Sequence, residues 1–235
     1  MRFETTRWSV VQAAGSDAST EARAALTTLC ETYWTPLYWY ARRRSHRPDD
    51  AQDLTQAFLT EFIEKYRVRA ANPERGRFRS FLLASFTHFI LNDAQARRSE
   101  KRGGGVPSLS LEFDTAEGRY SLEPPDARTP EAIFDRQWAM TVLDLGLRRL
   151  EREATEEGRG LEFEMLKPSL LGESAEGGYA AIARGLGITE GAVKVSVHRL
   201  RRRFREMVRQ EIAQTVATEQ EIDEEVKYLL AALRR

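Results

Sequence analysis

The chain has 235 residues, and its 36 Lys and Arg balance 36 Asp and Glu, so the formal net charge is zero. The chain therefore has no overall positive charge with which to attract nucleic acid, and any basic surface must come from local clustering of Lys and Arg. The single cysteine, Cys30, excludes an internal disulfide framework and fits a reducing cytoplasm. We expect a cytoplasmic protein with neither signal peptide nor membrane contact, because no apolar run is long enough for either.

The first section of the chain, residues 1–99, has apolar and aromatic residues at helical spacing. A helix is predicted over 23–44, in which Pro36 introduces either a kink or a new helix start. The next helix is predicted from Pro48, because proline and acidic residues are favourable in a first helical turn. After a loop that contains Asn-Pro and Gly, a third helix is predicted over 78–98.

Residues 100–129 are predicted to be a flexible linker, because a run of three glycines and several prolines cannot sustain a helix. Beyond it, one helix is predicted from Pro130 to about Glu157 and another over 161–171. A final amphipathic helix is predicted from about Ile222. The chain is therefore predicted to be all-α, with two helical domains joined by a flexible linker.

The stretch from Tyr179 to Gln210 is predicted to form a helix-turn-helix. Gly187 is expected at the turn, because glycine accepts positive φ without a Cβ clash, and Thr189 is expected to cap the second helix. The inner face of that helix is expected to consist of apolar residues at steps of three and four: Val193, Val197, Leu200, Phe204 and Val208. In this motif the second helix enters the major groove of DNA.

The opposite face of the second helix is strongly basic. Its charged residues are Lys194, Arg199, Arg201, Arg202, Arg203, Arg205 and Arg209, with Glu206 the only acid among them. Such a cluster neutralises DNA phosphates and releases their condensed counterions. We expect the N-terminal residues of the helix to meet base edges and the later arginines to meet phosphates. A solvated basic helix in a helical bundle has the same composition, and that alternative stays open.

Three segments resemble, in chain order, the functional helices of bacterial sigma factors. DAQDLTQAFL (50–59) is similar to the acidic helix that binds the polymerase clamp. FRSFLLASFTHFILNDAQARR (78–98) is similar to the following helix, which reads the −10 promoter element, and GAVKVSVHRLRRRFRE (191–206) to the helix that reads the −35 element. The resemblance covers most of residues 23–210 and is to the extracytoplasmic-function (ECF) type of the sigma-70 family, in a subgroup with a C-terminal extension.

The resemblance implies a sigma factor that binds core RNA polymerase and directs promoter-specific transcription initiation. Residues 1–99 correspond to domain 2, for clamp binding, −10 recognition and melting, and residues 130–210 to domain 4, for −35 recognition. Residues 211–235 are a C-terminal helical extension. We expect no enzymatic activity and no cofactor, because nucleophile, metal and phosphate-loop motifs are lacking. A helix-turn-helix regulator that acts without core polymerase is the alternative.

The resemblance also implies three sets of contact residues. The expected contacts on core polymerase are its clamp helices and its flap. Contact with the clamp helices is assigned to Asp50, Asp53, Leu54, Gln56 and Phe58. Contact with the −10 element is assigned to Asn72, Arg75, Arg77, Arg79 and His88. Contact with the −35 element is assigned to Lys194, Val195, His198, Arg199, Arg202 and Arg203.

One departure from the family pattern suggests regulation. Ala57 stands where many relatives have an acidic residue, and a phosphate on Thr55 or Thr60 would restore negative charge to the same helix. A Ser/Thr kinase is therefore one hypothetical partner, and an anti-sigma factor is another. For the C-terminal extension two alternatives stay open. Its acidic run, 219–225, folds back on the basic recognition helix, or the extension completes the C-terminal core.

Overall fold

The computed structural model describes residues 20–44, 47–65, 77–99, 128–170, 178–216 and 218–234. Within these ranges the protein is all-α, with eight helices and no strand. In chain order they are α1 (Thr20–Arg43), α2 (Pro48–Lys65), α3 (Phe78–Ser99), α4 (Pro130–Glu156), α5 (Gly160–Leu170), α6 (Gly178–Leu186), α7 (Glu190–Ala213) and α8 (Glu219–Arg234). None of these eight helices is long and apolar enough to cross a membrane.

The described part of the chain divides into two compact units, and their limits differ from the predicted domains. Unit 1 contains the described residues up to Thr141 together with those from Ile212 onward, whereas unit 2 runs from Val142 to Glu211. The first turns of α4 and the whole of α8 thus belong to unit 1. The predicted second domain, 130–210, therefore includes a segment that packs in the first unit. Apart from its last two residues, the predicted linker lies outside the described residues.

Aromatic side chains form the core of unit 1. Tyr33 and Tyr40 of α1 are fully buried, and the ring of Tyr33 meets the ring of Phe78 edge-on, with 5.3 Å between centroids. Phe58 of α2 lies 4.9 Å from Phe86 of α3, so the three helices share one cluster of rings. Such ring pairs add specific geometry to the burial of a large apolar area. Helix α1 continues through Pro36, so this residue does not begin a new helix.

The N-terminal turns of α4 complete this core, which is why they belong to unit 1. Phe134 is fully buried, with its ring centroid 6.4 Å from that of Tyr33 and 6.5 Å from that of Tyr40. Ile133 and Trp138 flank it and are at most 4% exposed. Full burial of an aromatic side chain contributes about 1.5–3 kcal/mol relative to its exposure, so these residues tie the start of α4 to α1.

Unit 2 contains two small apolar clusters that hold α7 from one side. The first consists of Leu166, Ile182, Ala183, Val193 and Val197, and the second of Leu150, Ala154, Phe163 and Met207. The turn from α4 into α5 lies at Gly158, whose φ of 72° is favourable for glycine. Helices α4, α5 and α6 thus form the support on which α7 lies.

Candidate nucleic-acid interface

A tight turn connects α6 to α7, as the sequence predicts. Gly187 has a φ of 67°, a conformation that residues with a Cβ rarely adopt. The amide of Ile188 donates to the carbonyl of Ala183 at 3.0 Å, and the amide of Gly187 donates to the carbonyl of Arg184 at 3.4 Å. This pair of bonds is the Schellman arrangement that ends a helix at glycine. The prediction for Gly187 is confirmed.

Thr189 then begins α7. Its Oγ1 accepts a hydrogen bond from the amide of Ala192 at 3.2 Å, and its carbonyl accepts one from the amide of Val193 at 3.0 Å. An amide in the first helical turn that would otherwise be unpaired is thereby satisfied. The predicted cap at Thr189 is confirmed, and it fixes where the first turn of α7 lies.

The inner face of α7 is the predicted one. Val193 is fully buried and Val197 is 3% exposed, and both pack with Leu166 and Ile182. Farther along the helix, Val208 is 7% exposed. Because this face is held by apolar contacts, the rotation of α7 about its axis is fixed. The residues between these positions must therefore face away from the core.

The outer face of the first turns of α7 carries four of the residues assigned to the −35 element. Lys194, Val195, His198 and Arg199 are all exposed, with Val195 49% exposed despite being apolar. Lys194 and His198 are four residues apart, as are Val195 and Arg199, so the members of each pair are neighbours on the helix surface. The structure thus brings these four residues together on a rigid, capped helix.

Three arginines later in α7 are engaged in ion pairs or in hydrogen bonds. Arg203 donates from Nε and Nη2 to the two carboxylate oxygens of Glu153 on α4, at 2.7 and 2.6 Å. It also pairs with Glu206 at 2.9 Å, and Arg202 reaches the same carboxylate at 3.4 Å. Arg201 donates to the carbonyl of Ser169 at 2.8 Å. Arg203 and Arg201 thus hold α7 against α4 and α5, so Arg203 is not an open phosphate contact in this structure.

The Arg203–Glu153 pair makes the stability of unit 2 dependent on pH. The hydrogen bond from Arg203 holds the pKa of Glu153 below its ordinary value of 4.5, although partial burial opposes this effect. A carboxyl whose folded pKa is lowered contributes stability above its unfolded pKa and loses that contribution as the pH falls through the folded value. The relevant window therefore lies below pH 4.5.

We expect Glu153→Gln to lower the free energy of unfolding by about 0.5–1 kcal/mol at pH 7, since the two side chains are 26% and 41% exposed and solvent weakens the pair. The difference from the unchanged protein should disappear as the pH falls below the lowered pKa. Thermal unfolding at a series of pH values measures it. Glu156→Gln, an exposed position on the same helix, is the control. A difference that stays constant with pH would exclude the ion pair as its cause.

The residues assigned to the −10 element are placed unevenly. Asn72 and Arg75 lie outside the described residues. His88 is exposed on α3. Arg77 and Arg79, at the start of α3, both contact acidic residues of α8, although their side chains differ in exposure. The two arginines are therefore occupied in this structure.

Arg79 is buried, being 6% exposed. Its Nη1 pairs with Asp135 Oδ1 at 2.5 Å, and its Nε lies 3.3 Å from Glu225 Oε2. The guanidinium carbon lies 4.8 Å from the ring centroid of Trp138 and 4.1 Å from that of Tyr228. The hydroxyl of Tyr228 also donates to Asp135. The expectation that Arg79 is open to a melted DNA strand is wrong for this conformation.

Arg77 pairs with two consecutive acids. Its Nη2 lies 2.5 Å from Glu224 Oε2 and its Nη1 lies 2.8 Å from Glu225 Oε1. Glu225 is 1% exposed, and its carboxylate forms ion pairs with both Arg77 and Arg79. Neither alternative for the acidic run 219–225 anticipated these partners. The acids were visible in the sequence, but nothing local indicated that they pair with residues about 146 positions away.

The residues assigned to the polymerase clamp divide into exposed acids and buried side chains. Asp53 is exposed and Asp50 partly exposed on α2. Leu54, Gln56 and Phe58 are at most 7% exposed, so they belong to the interior of unit 1. Gln56 is therefore buried rather than exposed beside the acids, and contact of these three residues with the clamp stays a prediction. The two aspartates remain accessible to a partner.

The two candidate phosphorylation sites also differ. Thr55 is fully buried, and its Oγ1 donates to the carbonyl of Ala51 at 2.7 Å. A phosphate cannot be accommodated there without unfolding part of α2. Thr60 is half-buried. The hypothesis of phosphorylation is therefore wrong for Thr55 in the folded chain and is retained for Thr60 alone.

Comparisons of the chain with protein-family models, with curated proteins and with solved structures find no match. Across the described ranges, no three His, Cys, Asp or Glu side chains are grouped so that they could hold a metal ion. The function is therefore argued from the geometry of α7 and from the resemblance of three segments to sigma factors.

Proposed function

We propose that this protein is a sigma factor of the ECF type that recognises promoter DNA through α7. The observation that carries the proposal is the exposed face formed by Lys194, Val195, His198 and Arg199. It lies in the first turns of a helix that a glycine turn and a threonine cap introduce. Helices α6 and α7 are accordingly interpreted as a helix-turn-helix within a second domain, joined to the first by a flexible linker.

The chemistry of this face suits the major groove of DNA. Lysine and arginine donate to guanine O6 and N7, and an exposed apolar side chain such as that of Val195 packs on a thymine methyl group. Arg202, farther along α7, is exposed and pairs at 3.4 Å with Glu206 of the same helix, an exposed pair that a phosphate can replace. The apolar inner face holds the helix at a fixed rotation, so these groups are presented together.

The role with polymerase is supported by the resemblance of α2 and α3 to sigma-factor helices. Asp50 and Asp53 supply accessible negative charge for basic residues of the clamp. His88 is exposed on α3, where related sigma factors face a flipped −10 base. In this proposal the polymerase performs the chemistry in the cytoplasm, and the chain supplies promoter recognition without enzymatic activity of its own.

A regulator that binds DNA without core polymerase is the second candidate, and two observations favour it. Three of the five residues assigned to the clamp are buried, and both described arginines assigned to the −10 element are paired with acids. A protein of this kind needs only the α7 face for DNA binding, usually as a dimer on a palindromic site.

The test is run-off transcription with purified core RNA polymerase and a library of upstream sequences. We expect specific transcripts only when the protein is present. The double variant Lys194→Ala, Arg199→Ala should reduce them by about 10-fold or more, because each base-reading contact contributes about 1–3 kcal/mol.

The matched control removes two cations from another surface of unit 2. Arg148 and Arg152 are exposed on α4, so Arg148→Ala, Arg152→Ala loses the same charge without touching α7. We expect it to transcribe like the unchanged protein. If the protein binds duplex DNA through α7 but neither binds core polymerase nor directs start sites, the second candidate is correct. If both double variants lose binding equally, α7 does not read DNA.

A further inference from the structure

The contacts between α8 and the start of α3 form a buried charged network. Arg79, Asp135, Glu225 and Tyr228 come from three helices, and the guanidinium of Arg79 lies over the ring of Trp138. Buried charges are tolerated only where opposite charges and hydrogen bonds replace water. The network is therefore stable only when α8 is in place.

Apolar packing supplies the rest of the docking surface. Ile222, Leu229 and Ala232 of α8 are buried, at most 8% exposed, on the same side as Glu225. Arg136 of α4 also donates to the carbonyl of Leu233 at 3.5 Å. Glu219 and Glu224 are exposed. Helix α8 is thus an amphipathic segment bound to the body of unit 1.

The two arginines form a ready anion site that α8 fills. Arg77 and Arg79 lie two residues apart at the N-terminus of α3, and carboxylate oxygens of Glu224 and Glu225 lie 2.5 to 3.3 Å from their nitrogens. Phosphate oxygens bind guanidinium groups with the same geometry as carboxylate oxygens. Burial is the largest influence on the pKa of Arg79 and lowers it, but the charge and hydrogen bond of Glu225 together with the charge of Asp135 outweigh burial and raise the pKa, so the guanidinium stays charged.

We propose that α8 is an intramolecular competitor of nucleic acid, which masks Arg77 and Arg79 until single-stranded DNA displaces it. The carboxylates of Glu224 and Glu225 occupy the positions that backbone phosphates would take. The apolar contacts of α8 determine how strongly it binds to the rest of unit 1. The inference rests on the proposed function, since that function assigns these arginines to the melted −10 strand. It adds that the C-terminal extension limits premature binding of that strand.

The experiment uses the full-length protein and a fluorescein-labelled single-stranded 20-nucleotide DNA, with binding measured by anisotropy. We expect Glu225→Gln to tighten binding by about 10-fold or more, because breaking a buried pair strongly destabilises the docked state. Glu224→Gln, whose side chain is 47% exposed, should tighten it only about twofold. Glu219→Gln is the control for the change in net charge, and we expect it to bind like the unchanged protein.

Two further measurements make the outcome decisive. Hydrogen exchange of residues 219–234 reports whether α8 has left, and adding Arg77→Ala to Glu225→Gln should remove the gain in affinity. If α8 exchanges faster in Glu225→Gln but the affinity for single-stranded DNA stays unchanged, the proposal is wrong. If Glu225→Gln does not fold, Glu224→Gln decides, and a gain no larger than that of Glu219→Gln overturns the proposal.

The proposed function fails in a different way. It requires promoter-directed transcription that depends on Lys194 and Arg199, in unit 2, whereas the masking of Arg77 and Arg79 is measured without polymerase or promoter. A gain of affinity in Glu225→Gln together with no transcription would support the mask and exclude the sigma factor. Transcription that depends on Lys194 and Arg199, without a gain of affinity in Glu225→Gln, would support the sigma factor and exclude the masking by α8.

Discussion

Replacing Arg79 with methionine is expected to lower the free energy of unfolding of unit 1 by about 3–5 kcal/mol. Methionine preserves much of the apolar stem but leaves the carboxylates of Glu225 and Asp135 without their buried cation. The cation–π contacts with the rings of Trp138 and Tyr228 are lost as well. Removing one partner of a buried network costs more than the net contribution of the whole network.

Urea denaturation followed by tryptophan fluorescence measures this effect, because Trp34, Trp39 and Trp138 all belong to unit 1. Arg77→Met is the matched control. Its side chain is 26% exposed, so we expect a loss of only about 1 kcal/mol. The double variant Arg79→Met, Glu225→Gln should recover part of the loss, since one unpaired charge is removed. Equal effects of the two single variants would show that the buried network does not exist in solution.

Replacing Phe134 with alanine is expected to destabilise unit 1 by about 3–5 kcal/mol, the usual cost of removing a buried phenylalanine. Its ring is fully buried and lies near the rings of Tyr33 and Tyr40 of α1. The sequence assigns this residue to the second domain, so the variant tests the boundary directly. The tryptophan transition of unit 1 should move to lower urea, and α8 should exchange its amides faster.

Met140→Ala, on the same helix, is the control for this experiment. Met140 is 47% exposed, and we expect a change within about 0.5 kcal/mol. If Phe134→Ala leaves the tryptophan transition in place and loosens only residues of unit 2, the start of α4 belongs with the second domain after all.

The helix pair α6–α7 could be predicted from the sequence because the forces that shape it are local. Gly187 permits a backbone conformation that is strained for other residues, and Thr189 satisfies amides that lie within four positions of it. The steps of three and four between Val193 and Val197 and their successors fix which face is inner. Because those apolar positions face the core, Lys194 and Arg199, which lie between them, are placed on the exposed face.

The burial of the α2 residues could not be predicted in the same way. Asp53 and Gln56 are both polar and three positions apart, yet the first is exposed and the second is 7% exposed. Periodicity identifies an amphipathic helix. Whether a polar residue at the edge of its apolar face is buried or exposed depends on which neighbouring elements pack there. Thr55 illustrates this, since its hydroxyl is satisfied by the backbone of its own helix and can therefore be buried.

The sequence by itself determined the all-α class, the position of each helix to within a few residues, and the inner and outer faces of α7. Only the tertiary structure decided that α8 packs in unit 1 and that its acids hold Arg77 and Arg79. Ion pairs carry no periodic signal, and every glutamate of the 219–225 run is an equal candidate in the sequence. Glu225 was selected because the fold buries it beside Arg79, and a buried charge is stable only where the chain brings an opposite charge to meet it.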